Sequence, residues 1–158
     1  MAAGARYFFS SMSGETFYRR RMPHWRSSGV VYFVTWRLAP RQDELTATER
    51  DVVVSALRRF DTIRYVLDAF VVMNDHVHVL VRDLKNDLEE IVRNWKSFTA
   101  NRLQRAHGRS GSIWQEEYFD RIVRDEKEFG DKLRYVQNNP VKRWPGTKAY
   151  RWIWVREG

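Results

Sequence analysis

His76 and His78 stand one residue apart in the stretch Val71-Val72-Met73-Asn74-Asp75-His76-Val77-His78-Val79-Leu80-Val81. Two apolar runs meet at Asn74-Asp75, a pair suited to a hairpin turn. Successive side chains on a strand point to opposite faces, so both imidazoles emerge on one side and Val77, Val79 and Val81 on the other. Two neutral imidazoles at that spacing can ligate one metal ion. The same pattern also fits a strand carrying two half-buried histidines, and the spacing alone does not choose between them. A second pair lies far downstream, in Arg134-Tyr135-Val136-Gln137-Asn138-Asn139-Pro140. Tyr135 and Asn139 are four residues apart, which on a helix puts them about 40° apart on one face. By themselves they are at least as well explained as a core-edge tyrosine and a helix-terminal asparagine before proline.

The elements that must position these residues follow from patterning. Val30 to Arg37 is rich in β-branched and aromatic residues and predicts a first strand opened by Gly29. Thr46 and Glu49 have capping-box spacing, and Val52, Val53, Ala56, Leu57, Phe60 and Ile63 follow helical periodicity, predicting a helix over 46–62. Tyr65 to Met73 reads as the strand that pairs with the His-x-His strand. Asp87 begins a long amphipathic helix with Leu88, Ile91, Val92, Trp95, Phe98, Thr99 and Leu103 on its stripe, stopped by Gly108 and Gly111. Ile113 to Val123 reads as extended. Asp125 and Glu128 open a last helix over 126–138, with Phe129, Leu133 and Val136 as its core stripe and Pro140 as its terminator. The order β-α-β-β-α-β predicts an α+β, ferredoxin-like (RRM-like) antiparallel sheet with helices on one face. If the last helix packs across the remaining face, Tyr135 and Asn139 approach His76 and His78.

Composition narrows the partners. The chain has 158 residues, the size of one domain, and no cysteine, which excludes disulfides and thiolate-bound metals. No apolar run approaches a membrane span and no secretory pattern opens the chain, so a soluble, cytoplasmic protein without membrane contact is expected. Lys and Arg exceed Asp and Glu by 28 to 20, and Trp, Tyr and Phe number seven, seven and nine. Basic charge with aromatic side chains favours a nucleic-acid partner. The candidate contacts are Arg19, Arg20, Arg21, His24, Trp25 and Arg26 in a basic, partly disordered arm over 1–28, and Arg93 and Lys96 on the long helix. Arg121 and Arg124 end the extended segment, and Lys142 and Arg143 follow the last helix. Each fits a solvated basic surface as well. Residues 29–143 form the expected domain, and 144–158 a basic, tryptophan-rich tail docked on it.

Taken together, these motifs resemble the single-tyrosine HUH (IS200-like) transposases, and within them the REP-associated tyrosine transposases. The resemblance rests on Pro23-His24-Trp25, Gly29 to Leu38, Met73 to Leu80, Ile113-Trp114-Gln115 with Tyr118-Phe119-Asp120, and Tyr135 to Lys142, in that order along the chain. It implies a bacterial enzyme that cuts and rejoins single-stranded DNA beside a hairpin-forming REP-like palindrome. Tyr135 would then be the nucleophile forming a 5′-phosphotyrosine, with His76, His78 and Asn139 as ligands of Mg²⁺ or Mn²⁺. A monomer is expected over a dimer. Asparagine at the third position differs from the glutamine or carboxylate of other family branches and would hold the metal less tightly. The arm around Arg19–Arg26, His24 included, would read bases at the hairpin foot. The alternatives are a non-catalytic RRM-like nucleic-acid module, an inactive transposase relative, or another His-x-His metal hydrolase. Tyr118 is a weaker nucleophile candidate, and Asp75 is expected to face away from His76 as turn chemistry. His107 lacks a ligand-spaced partner.

Overall fold

The structure, a computed structural model, describes residues 29–158. The expected contacts Arg19, Arg20, Arg21, His24, Trp25 and Arg26 therefore lie outside the described residues. Strand β1 (Val31–Arg37) leads to helix α1 (Ala47–Arg58), then to the hairpin of β2 (Val66–Val72) and β3 (His76–Arg82). Helix α2 (Leu88–Ala106), strand β4 (Phe119–Val123) and helix α3 (Glu126–Arg143) follow, and a short β5 (Ile153–Val155) closes the chain. The sheet order is β4-β1-β3-β2-β5 with every pairing antiparallel, so the first six elements form the ferredoxin-like arrangement and the tail adds an edge strand.

Alternation divides the sheet into two apolar layers. Val34, Trp36, Phe70, Val72, Val77, Val79 and Val81 pack against Val53 and Leu57 of α1 and Ile91, Val92, Trp95 and Leu103 of α2. On the opposite face Val31, Phe33, Val71 and Leu80 pack against Phe129, Leu133 and Val136 of α3. The predicted stripe of the last helix is thus its buried side, and α3 crosses the face that α1 and α2 leave open. Tail aromatics join both layers: Trp154 stacks on Phe70 at 5.7 Å between ring centroids, and the Tyr150 hydroxyl donates to the Val72 carbonyl at 2.6 Å.

Two boundaries depart from the sequence reading. Helix α1 ends at Arg58, and Thr62 takes a left-handed φ of 67° in the turn that follows, so Ile63 leaves the helical stripe and is 65% exposed. Helix α3 does not stop at Pro140. It runs on to Arg143, and the Trp144 N–H closes on the Pro140 carbonyl at 2.8 Å. Proline removes one helical hydrogen bond and disfavours helical geometry in the residue before it, but tertiary packing can outweigh both. Here Pro140 and Asn139 are both buried against the domain.

The capping box forms as expected. The Glu49 N–H donates to Thr46 Oγ1 at 3.2 Å, and Glu49 Oε1 accepts from the Thr46 N–H at 3.0 Å. Glu49 is buried, and Arg109 grips it in a two-pronged pair at 2.5 and 2.8 Å while also donating to the Asp43 and Glu44 carbonyls. Hydrogen bonding to Arg109 is the largest cause holding the Glu49 carboxyl at about 2, below its ordinary 4.5. A depressed folded-state value stabilises the fold above the unfolded value and is lost as pH falls through the folded one. Thermal stability should therefore drop between about pH 4.5 and pH 2, by at most about 3 kcal/mol from this pair. Glu49→Gln should flatten that part of the melting-temperature profile.

Candidate active site

His76 and His78 emerge from β3 on the face covered by α3, and α3 brings its own pair onto them. The Tyr135 ring lies 5.1 Å from the His78 ring between centroids, edge to face, and 5.9 Å from Phe33. One turn further on, Asn139 Oδ1 is 3.2 Å from His76 Nε2. The two imidazoles are 4.7 Å apart between centroids. Residues separated by 63 positions in the chain thus share one small site. Tyr135 is 42% exposed at its mouth, while His78 and Asn139 are buried at its floor.

Each imidazole is oriented by a neighbour that the sequence reading did not credit. Thr35 Oγ1 lies 2.6 Å from His78 Nδ1, because Thr35 and His78 are direct cross-strand partners in the β1–β3 ladder. Asp75 Oδ1 lies 2.6 Å from His76 Nδ1, which corrects the expectation that Asp75 faces away. Strand alternation does not reach Asp75, since β3 begins at His76 and Asp75 belongs to the turn. Carboxylate and hydroxyl partners on Nδ1 are the usual means of fixing the tautomer that leaves the Nε2 lone pair free.

The donor set fits a divalent cation. His78 Nε2 is buried with no hydrogen-bond partner. Burial, followed by the positive surroundings of His76, Arg37 and Lys132, pushes the His78 imidazole down to about 3, so it is neutral, as a ligand must be. His76 Nε2 and Asn139 Oδ1 stand 3.2 Å apart, and in the tautomer in which Asp75 accepts the His76 Nδ1 proton both atoms can be offered to one cation. No group of three His, Cys, Asp or Glu side chains forms a metal site among the described residues, so any cation here relies on two imidazoles and an amide.

Two cations flank the site. Lys132, one turn before Tyr135 on α3, holds its ammonium 4.6 Å from the Phe33 centroid and 5.9 Å from that of Tyr135. Arg37 is the cross-strand partner of His76. Spacing in the sequence marks Lys132 as a neighbour of Tyr135, but Arg37 required the β1–β3 register.

The other expected contacts are scattered. Arg121 shares the site face of β4, opposite Phe33, and is ion-paired to Glu128, whose other oxygen accepts the Arg124 N–H. Lys142 and Arg143 are exposed in the last turn of α3. Arg93 and Lys96 belong to α2, behind the sheet, and Lys96 donates to the Gln115 and Glu116 carbonyls at 2.7 Å each, tying the loop before β4. Tyr118 packs on the α1–α2 side of the sheet, and burial raises its hydroxyl pKa. His107 follows α2 on that same side.

Sheet order and helix placement define an α+β, ferredoxin-like domain in which His76, His78, Tyr135 and Asn139 meet. Residues 27–139 match the family model described as "Transposase IS200 like", and the chain belongs to that family. It is 24% identical over 153 residues to a Haemophilus influenzae protein assigned as a REP-associated tyrosine transposase, covering 79% of this chain and 82% of that one. It is likewise 24% identical over 132 residues to the REP-associated tyrosine transposase of Escherichia coli K12, covering 78% of each. Among solved structures, a REP-associated tyrosine transposase bound to a REP hairpin matches with a TM-score of 0.62 at 24% identity, over 78% of this chain and 75% of that one. No helix among the described residues is long and apolar enough to cross a membrane.

Proposed function

We propose that the protein is a metal-dependent endonuclease and strand transferase acting on single-stranded DNA beside a hairpin. The observation that carries this reading is the convergence of Tyr135 and Asn139 on His76 and His78. The hairpin enters because a structurally similar transposase is bound to a REP hairpin. A purely binding, RRM-like role is less well supported, because α3 covers the sheet face that such a module would offer to bases.

In this reading Tyr135 Oη attacks the scissile phosphorus, the P–O3′ bond breaks, and the 3′ oxygen leaves as a hydroxyl after taking up a proton. The product is a tyrosine 5′-phosphodiester. Attack on it by a 3′-hydroxyl forms a new phosphodiester and returns the phenol, so strands rejoin without a nucleotide cofactor. His76, His78 and Asn139 would hold Mg²⁺ or Mn²⁺, which supplies charge neutralisation at a non-bridging phosphate oxygen. Thr35 and Asp75 keep the imidazoles aimed. Lys132, close to the Tyr135 ring, and Arg37 draw the phosphate to the site. The basic contacts beyond the site, including Arg121, Arg124, Lys142 and Arg143, would track the backbone.

The test is incubation of the purified protein with Mg²⁺ or Mn²⁺ and single-stranded oligonucleotides carrying hairpins drawn from the flanks of its gene. A nick beside the hairpin, with one product covalently attached to protein, is expected. Absence of both nick and adduct across those substrates would defeat the reading.

A further inference from the structure

Phe119 is 57% exposed on β4, and its position sets it apart from an ordinary solvent-facing apolar residue. It is the cross-strand partner of Thr35, which is in turn the partner of His78. Phe119, Thr35 and His78 therefore form one row across the sheet and point to the same face. Two strand spacings, roughly 10 Å, separate the phenyl from the imidazole. The core beneath α3 takes in Val123, Val31 and Phe33 but not Phe119, which lies at the start of β4. Along that row Thr35 separates Phe119 from His78, against which the Tyr135 ring lies. Arg37, on the same face of β1 two residues beyond Thr35, is exposed, and Arg121 stands two residues after Phe119 on the same face.

An exposed aromatic ring with arginines on the same sheet face is what a single strand needs: the ring stacks a base while the charges follow the backbone. We propose that Phe119 is the stacking platform for an unpaired base flanking the scissile phosphate, and so places that phosphate over the histidine pair. This rests on the single-strand reading above and adds a substrate-contacting residue to it. Because every base has a π face, the contact contributes affinity and placement with little base preference.

The test uses the full chain, a hairpin-bearing oligonucleotide that the wild type binds, and a set in which each unpaired nucleotide beside the hairpin is made abasic in turn. Phe119→Ala should weaken single-strand binding and raise KM roughly 5- to 150-fold, the range of one lost base stack, with a smaller change in kcat. Phe119→Trp should retain wild-type behaviour, and Phe119→Leu, apolar without a π face, should resemble alanine. One abasic position should weaken the wild type by a similar factor and leave Phe119→Ala unaffected. Equal abasic penalties in wild type and Phe119→Ala, or leucine behaving as phenylalanine, would overturn the proposal. Melting temperatures check that the variants fold. The abasic comparison is also read by equilibrium binding, so it decides the stacking role even where no adduct forms, an outcome that would count against the endonuclease reading alone.

Discussion

Tyr135→Phe is expected to bind hairpin-bearing single-stranded DNA as the wild type does and to form no covalent adduct. The substitution removes one oxygen from a side chain that is 42% exposed, and it leaves the ring on His78 and Phe33 undisturbed. Stability should change by no more than about 0.5 kcal/mol, the ordinary range for an exposed position. Cleavage should be lost, because in the proposed mechanism the hydroxyl oxygen is the atom that bonds to phosphorus. Denaturing electrophoresis of end-labelled DNA, with intact-protein mass spectrometry, measures both adduct and nick. An adduct that persists in Tyr135→Phe would move the nucleophile elsewhere. Tyr118 is a poor substitute, since it packs on the far side of the sheet and burial makes its hydroxyl harder to ionise.

Lys132 places a positive charge beside the site. Its ammonium sits over the Phe33 ring, within 6 Å of the Tyr135 centroid at 5.9 Å, and the aromatic contact fixes a cation that would otherwise be free to sample solvent. A fixed cation at the mouth of the site adds to the field that draws a phosphate towards Tyr135.

How far the sequence reached can be judged at particular residues. Strand alternation put His76 and His78 on one face, helical spacing put Tyr135 and Asn139 on another, and the Phe129–Leu133–Val136 stripe decided which side of α3 is buried. These are local, periodic signals. Thr35 and Arg37 carry no such mark, because their role depends on the β1–β3 register, in which Thr35 meets His78 and Arg37 meets His76. Strand alternation does not extend to Asp75, which lies in the turn before β3 and so can reach His76 Nδ1. The continuation of α3 through Pro140 is a tertiary effect: burial of Asn139 and Pro140 outweighs a local preference to stop. The docking of the tail as β5 against β2 is likewise a long-range pairing, with Ile153 opposite Val71.

The imidazoles give the second large effect. His78→Ala or His76→Ala should lower metal-dependent cleavage by about three orders of magnitude or more, comparable to losing a principal electrostatic stabiliser of the transition state. A ligand assignment also predicts an effect that needs no turnover. Mn²⁺ at about 100 times its dissociation constant should stabilise the wild type by about 2.7 kcal/mol, read as a rise in melting temperature, and either alanine variant should lose that rise. Thr35→Val separates ligation from orientation. It keeps the imidazole and the side-chain shape but removes the hydroxyl 2.6 Å from His78 Nδ1. Loss of such a partner typically costs about 10- to 100-fold in metal affinity or activity, so Thr35→Val should shift the Mn²⁺ midpoint yet recover rate at high metal. His78→Ala should not recover at any concentration. Cleavage that kept its metal dependence in His78→Ala would show that this strand positions DNA or Tyr135 and does not hold the ion.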